Sequence, residues 1–107
     1  VWISERRGVF RAIDAMNITH ISSENHYIRI YVYKKDSYLI KSSLKDFYQD
    51  QLSKYDIFFP LSRSIIVNLE MVLKVESNQL FLKDQTIIRI PKNKRDELLE
   101  LLGVFKY

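Results

Sequence analysis

The 107-residue chain contains no cysteine. That absence excludes disulfide staples, thiol nucleophiles, cysteine zinc sites and iron–sulfur clusters. Glycine and proline occur only as Gly8, Gly103, Pro60 and Pro91. So few glycines cannot build a phosphate-cradling loop. No linker or low-complexity stretch can be cut out, and no internal repeat is visible. The longest unbroken apolar run is about four residues, against the ~20 needed for a membrane-spanning helix. The histidines, His20 and His26, fit neither an HxH nor an HExxH spacing, so a metal site lacks its ligand count. Ser64 has no nucleophile elbow around it. The carboxylates are scattered among lysines, as on a solvated surface. Nothing here supports an enzyme, and neither a cofactor nor a metal is expected.

What is present suits one small folded unit. A chain of this length makes a single domain, here residues 1–107, and buries roughly two-thirds of its unfolded surface. Hydrophobic residues make up 47%, enough to fold. Seventeen Lys and Arg stand against thirteen Asp and Glu, for a net charge of +4. That balance leans toward an acidic partner such as nucleic acid. The chain begins at Val1 and carries no signal-peptide pattern. The expectation is the C-terminal part of a longer, cytoplasmic protein.

The first half reads as strands. Val1 to Ile3 and Val9 to Ile13 flank a charged turn at Glu5 to Gly8. Ile18 and Ile21 bracket His20. His26 to Tyr33 alternates with period two: His26, Ile28, Ile30 and Val32 share one face, and Tyr27, Arg29, Tyr31 and Tyr33 the other. Tyr38 to Ile40 returns after a turn. Ser43 then opens the clearest helix as N-cap, with Asp46 placed to complete a capping box. Leu44, Phe47, Tyr48, Leu52 and Tyr55 form its apolar stripe. Short strands follow at Ile57 to Phe59, Ser64 to Leu69, Met71 to Val75, Leu80 to Leu82 and Thr86 to Ile90. A last helix starts near Asn93, with Leu98, Leu99, Leu101 and Leu102 inside and Gly103 as its stop. The fold class is mostly β and antiparallel, because the connections are short, with one central helix and a short C-terminal one.

The charge is uneven. Gln85 to Arg95 carries Arg89, Lys92, Lys94 and Arg95 and no acid. The segment leads into the last helix, where cations oppose the macrodipole unless an anion is near. That sign argument points to a phosphate. Arg63, between Pro60 and an apolar strand, should project from a loop, where Arg can read guanine or grip a phosphate. Asn25 and His26 form a polar pair before the long strand; such a pair can reach base edges or cap a turn.

These places coincide with a family pattern. Phe59-Pro60-Leu61-Ser62-Arg63-Ser64-Ile65-Ile66-Val67-Asn68-Leu69 resembles the signature of the LytTR DNA-binding domain. That signature runs from a hydrophobic strand end through His-Arg-Ser and two apolar residues to Val-Asn; Arg63, Ser64, Val67 and Asn68 match. Ile18 to Tyr27 resembles the family's upstream strand–loop–strand. Lys41-Ser42-Ser43-Leu44-Lys45 resembles its helix lead-in, and Ile90-Pro91-Lys92-Asn93-Lys94-Arg95 its closing motif. Ser62, Pro60 and Asn93 stand where the family has His, a basic residue and Ser.

The resemblance implies an elongated sandwich of small antiparallel sheets. It implies the output module of a bacterial response regulator, joined to a receiver domain. Its loops would enter successive major grooves of direct-repeat promoter sites in double-stranded DNA, pairing two copies there. Carried over, the DNA contacts are His26, Arg63 and Lys94, with Asn25, Ser64, Lys92 and Arg95 beside them. Two other readings compete. Exposed Tyr27, Tyr31 and Tyr33 would suit a protein-interaction or dimerisation module, or serve as stacking platforms for single-stranded RNA.

Overall fold

The computed structural model describes residues 1–104. Ten strands form three antiparallel sheets in a body of 52 × 24 × 23 Å, elongated as expected. Strands β1 (Trp2–Arg6) and β2 (Val9–Ala12) make a hairpin. Its turn uses Gly8 at φ +77°, a left-handed conformation that glycine adopts without a Cβ clash. Ile3 is buried beneath this ribbon, while Trp2 and Phe10 lie on its exposed outer face.

The central sheet has five strands: β3 (Ile18–Glu24), β4 (Tyr27–Val32), β5 (Tyr38–Lys41), β6 (Phe58–Pro60) and β7 (Ile65–Asn68), in the order β5-β4-β3-β7-β6. Register explains its two faces. Pro60, Ile66, Ile21, Ile30 and Tyr38 stand in one cross-strand row. The adjacent row is Phe59, Val67, His20 and Tyr31, and it points to the opposite face. The period-two alternation of β4 holds: Ile28, Ile30 and Val32 are buried. His26 falls outside the strand, in the β3–β4 turn.

The first face is covered by α1 (Leu44–Phe47) and a wide turn that continues it over Tyr48–Leu52. The Ser43 Oγ accepts from the Asp46 N–H at 3.1 Å, the N-cap read from the sequence. The regular helix, however, stops after one turn. The Ser53 N–H donates to the Tyr48 carbonyl at 2.8 Å, an i→i+5 bond. An unbroken α-helix would rotate Leu52 about 140° away from Phe47. The wider turn returns Leu52 to the core, where it is fully buried beside Leu44 and Phe47.

The second face is covered by β8 (Val72–Glu76), β9 (Gln79–Leu82), β10 (Ile87–Arg89) and α2 (Arg95–Leu102). A turn over Lys92–Lys94 precedes α2, so the helix starts two residues later than its sequence pattern implies. Leu98 is fully buried, and Leu99 and Leu102 are half-buried. Leu101 was expected inside but is 54% exposed. At 100° per residue it sits about 60° from Leu98, on the side away from Leu102 and Leu99. Gly103 ends the helix at φ +68°. The Val104 N–H reaches the Leu99 carbonyl at 3.3 Å and the Gly103 N–H the Glu100 carbonyl at 3.0 Å, a Schellman motif. Among the described residues, no helix is long and apolar enough to cross a membrane.

Three buried polar residues, Asn68, His20 and Thr19, tie these layers together. Asn68 donates from Nδ2 to the Ile18 carbonyl at 2.7 Å and the Met16 carbonyl at 3.3 Å. Its Oδ1 accepts from the Glu70 N–H at 2.9 Å. His20 stacks on Tyr31 with ring centroids 4.2 Å apart. Its Nδ1 lies 2.9 Å from the Thr19 Oγ1, whose proton goes to the Tyr31 carbonyl at 3.3 Å. Burial pushes the His20 pKa below its usual value, against a smaller opposing pull from Asp84. Of the tyrosines, Tyr31 and Tyr33 are partly taken up by such packing, and Tyr27 remains exposed.

Candidate nucleic-acid interface

One end of the central sheet gathers three connections. β3 and β7 are antiparallel, with Ser22 opposite Ile65, so the end of β3 meets the start of β7. The Ser23 N–H donates to the Ser64 carbonyl at 2.9 Å and fastens the two. The β3–β4 turn holds Asn25 and His26, both exposed. Asn25 has φ +58°, a conformation that Asn tolerates better than most residues. Just before it, Glu24 pairs with Arg29, which also donates to the Ser37 Oγ at 2.9 Å. The Glu24 bond holds the Arg29 guanidinium above its usual basicity.

The β6–β7 loop is tight. The N–H groups of Leu61 and Ser62 both donate to the Ile65 carbonyl, at 2.9 and 3.2 Å. The Ser62 Oγ accepts from the Ser64 N–H at 3.1 Å. These bonds push Arg63 and Ser64 to the exposed tip. Among the described residues, Arg63 has no salt bridge and no side-chain hydrogen bond. A groove of about 630 Å³ opens beside it, lined by Asn25, Ser62 and Arg63 together with Lys45, Tyr48 and Pro60. Among the described residues, no carboxylate lines it.

Lys94 lies in the adjoining hollow, which shares Tyr48 and Pro60 with that groove. Its Nζ sits 5.7 Å from the centre of the Phe59 ring and 3.8 Å from a Glu97 carboxylate oxygen. Lys92 is exposed on the turn before α2. Arg95 turns elsewhere: its Nε donates to the Ser77 carbonyl at 3.0 Å and binds α2 to the β8–β9 turn. Asp96 and Glu97 in the first turn of α2 supply the negative charge that the dipole favours. The sign argument for an external anion at this helix is thus answered within the chain.

The structure therefore brings Asn25 and Arg63 to one groove and sets Lys94 in the adjoining hollow; His26 and Ser64 are exposed in the same turn and loop but do not line the groove. Sequence reasoning missed Lys45, Tyr48 and Gln49 as lining residues of the groove. The only signal for them was the helix lead-in at Lys41 to Lys45.

The family model described as the LytTr DNA-binding domain matches residues 9–103. This chain belongs to the LytTR family of DNA-binding domains. The match starts at the first residue of β2, so β1 lies before it. A solved LytTR domain has the same fold: the LytTr DNA-binding domain of a putative methyl-accepting/DNA response regulator from Bacillus cereus. It is 16% identical, with a TM-score of 0.77 over 97% of this chain and 96% of that one. No curated protein matches. Within this LytTR domain the matched signature residues divide by role. Arg63 and Ser64 are exposed at the loop tip, whereas Val67 and Asn68 are buried.

Proposed function

We propose that this LytTR domain is the output module of a bacterial two-component regulator, acting in the cytoplasm behind a receiver domain. It binds promoter DNA by sequence, with loops rather than a helix in the major groove. Two copies meet on direct repeats. Asn25, His26 and Arg63 reach base edges; Lys92 and Lys94 grip phosphates. Phosphate contacts supply affinity and its salt dependence, and the loop side chains supply sequence preference.

The observation that carries this reading is the exposed Arg63 guanidinium, without an ion-pair partner among the described residues, at a groove that also holds Asn25. An Arg left unpaired can form a bidentate contact with guanine or phosphate. The response-regulator name carried by the Bacillus cereus domain supports the partner assignment. Selection of bound duplexes from a random pool tests it. Enrichment of a repeated half-site about one helical turn apart is the expected result. A pool that returns unsorted, or single strands that outcompete duplex at equal salt, contradicts it.

A further inference from the structure

The groove beside Arg63 has a property that a DNA backbone does not use. Its floor is apolar: Leu44 and Ile66 are buried at its base, and Tyr48 and Pro60 form its sides. Its volume, about 630 Å³, falls in the range of roughly 300–1,000 Å³ typical of small-molecule sites. Cations stand only on the rim. Lys45 and Arg63 are exposed, neither has an ion pair among the described residues, and no acid lines the groove. Three of the lining hydroxyls are engaged locally. The Ser42 Oγ donates to the Ser43 carbonyl at 2.9 Å, and the Ser43 and Ser62 oxygens accept backbone N–H groups at 3.1 Å. Neutral donors also line the groove (Ser23, Asn25, Tyr48 and Gln49), but Lys45 and Arg63 are its cations. An apolar slot under a cationic rim is complementary to one chemical class: a hydrocarbon or aromatic body ending in an anionic head.

We propose that this groove binds an amphipathic organic carboxylate and that its occupancy excludes DNA from Arg63. The second half rests on Arg63 being a DNA contact, as argued above; the first half does not. Such a ligand would switch the domain off by competition, with no conformational change required.

The probe is 2-naphthoate, and its neutral twin of the same shape is 2-naphthamide. Calorimetric titration of the full chain should show naphthoate binding roughly tenfold more tightly than naphthamide, the scale of a hydrogen-bonded charge. The double variant Lys45→Gln/Arg63→Gln should lose that preference while still binding naphthamide like the wild type. Both positions are exposed, so the fold is not at risk. The double variant Trp2→Ser/Phe10→Ser removes the exposed aromatic ribbon and should leave naphthoate affinity unchanged. Equal affinity for the two probes, indifference to the rim variant, or loss of binding in the ribbon variant overturns the site. Duplex binding is measured separately by anisotropy, with naphthoate expected to displace duplex. A domain that binds duplex but not naphthoate refutes the ligand site alone. A domain that binds naphthoate through its rim but no duplex refutes the DNA reading alone. Both binding together, without displacement, refutes the competition.

Discussion

Two basic regions of this domain look alike in sequence and differ in structure. The Lys92–Arg95 segment has three cations in four residues, yet two of them are engaged. Lys94 lies over Phe59 and near Glu97, and Arg95 is bonded to Ser77. The β6–β7 loop has a single cation, Arg63, and the backbone around it is hydrogen-bonded so that the guanidinium is exposed, with no ion-pair partner among the described residues. Charge density along the chain is therefore not by itself a measure of how free each cation is. A cation's freedom depends on what the fold brings to it, and those partners come from remote segments.

The comparison can be broken at several levels. The largest effect should come from Leu98→Ala. Leu98 is fully buried and anchors α2, so its truncation should cost about 2–5 kcal/mol in denaturant unfolding. A loss under ~1 kcal/mol would mean that the helix carrying the basic segment is not packed as described. Arg63→Ala should leave stability unchanged and weaken binding to a selected duplex by about 1–3 kcal/mol. Arg95→Ala should do the reverse, lowering stability by about 1 kcal/mol through the lost Ser77 bond while changing duplex affinity less than Arg63→Ala does. If Arg95→Ala proves the more damaging to binding, the division of roles fails.

The smallest effect is a slope with pH. Above the ordinary histidine value of 6.5 the His20 ring is neutral in folded and unfolded chains alike. Below it the unfolded chain takes up a proton that the buried ring resists, so stability should fall as pH drops through that region. The fall ends once pH passes the lowered pKa of the folded state. His20→Gln should flatten this slope; an unchanged slope would assign the proton uptake to another group.

Features set by neighbouring residues were legible in the sequence. The alternation of β4, the Ser43 N-cap and the Gly103 stop all appear where short-range patterns put them. The turn that widens α1 was not legible, because it answers a packing demand from the central sheet on Leu52. Nor was the outward place of Leu101, since four leucines in five positions do not say which side of the helix meets a core. The bond from Arg95 to Ser77 was not legible either, because the two residues lie 18 positions apart. The groove was hidden for the same reason: it is assembled from the β3–β4 turn, the start of α1 and the β6–β7 loop. The family resemblance named the β3–β4 turn and the β6–β7 loop, together with the turn before α2, but not the start of α1.

Amide chemical shifts of the labelled domain, followed as a selected duplex is added, test that gathering most directly. Residues 24–27 and 61–64 should move together and furthest, with 92–94 following and Arg95 shifting less. Shifts centred on the Trp2 and Phe10 ribbon, or on the outer strands β8 to β10, would contradict it.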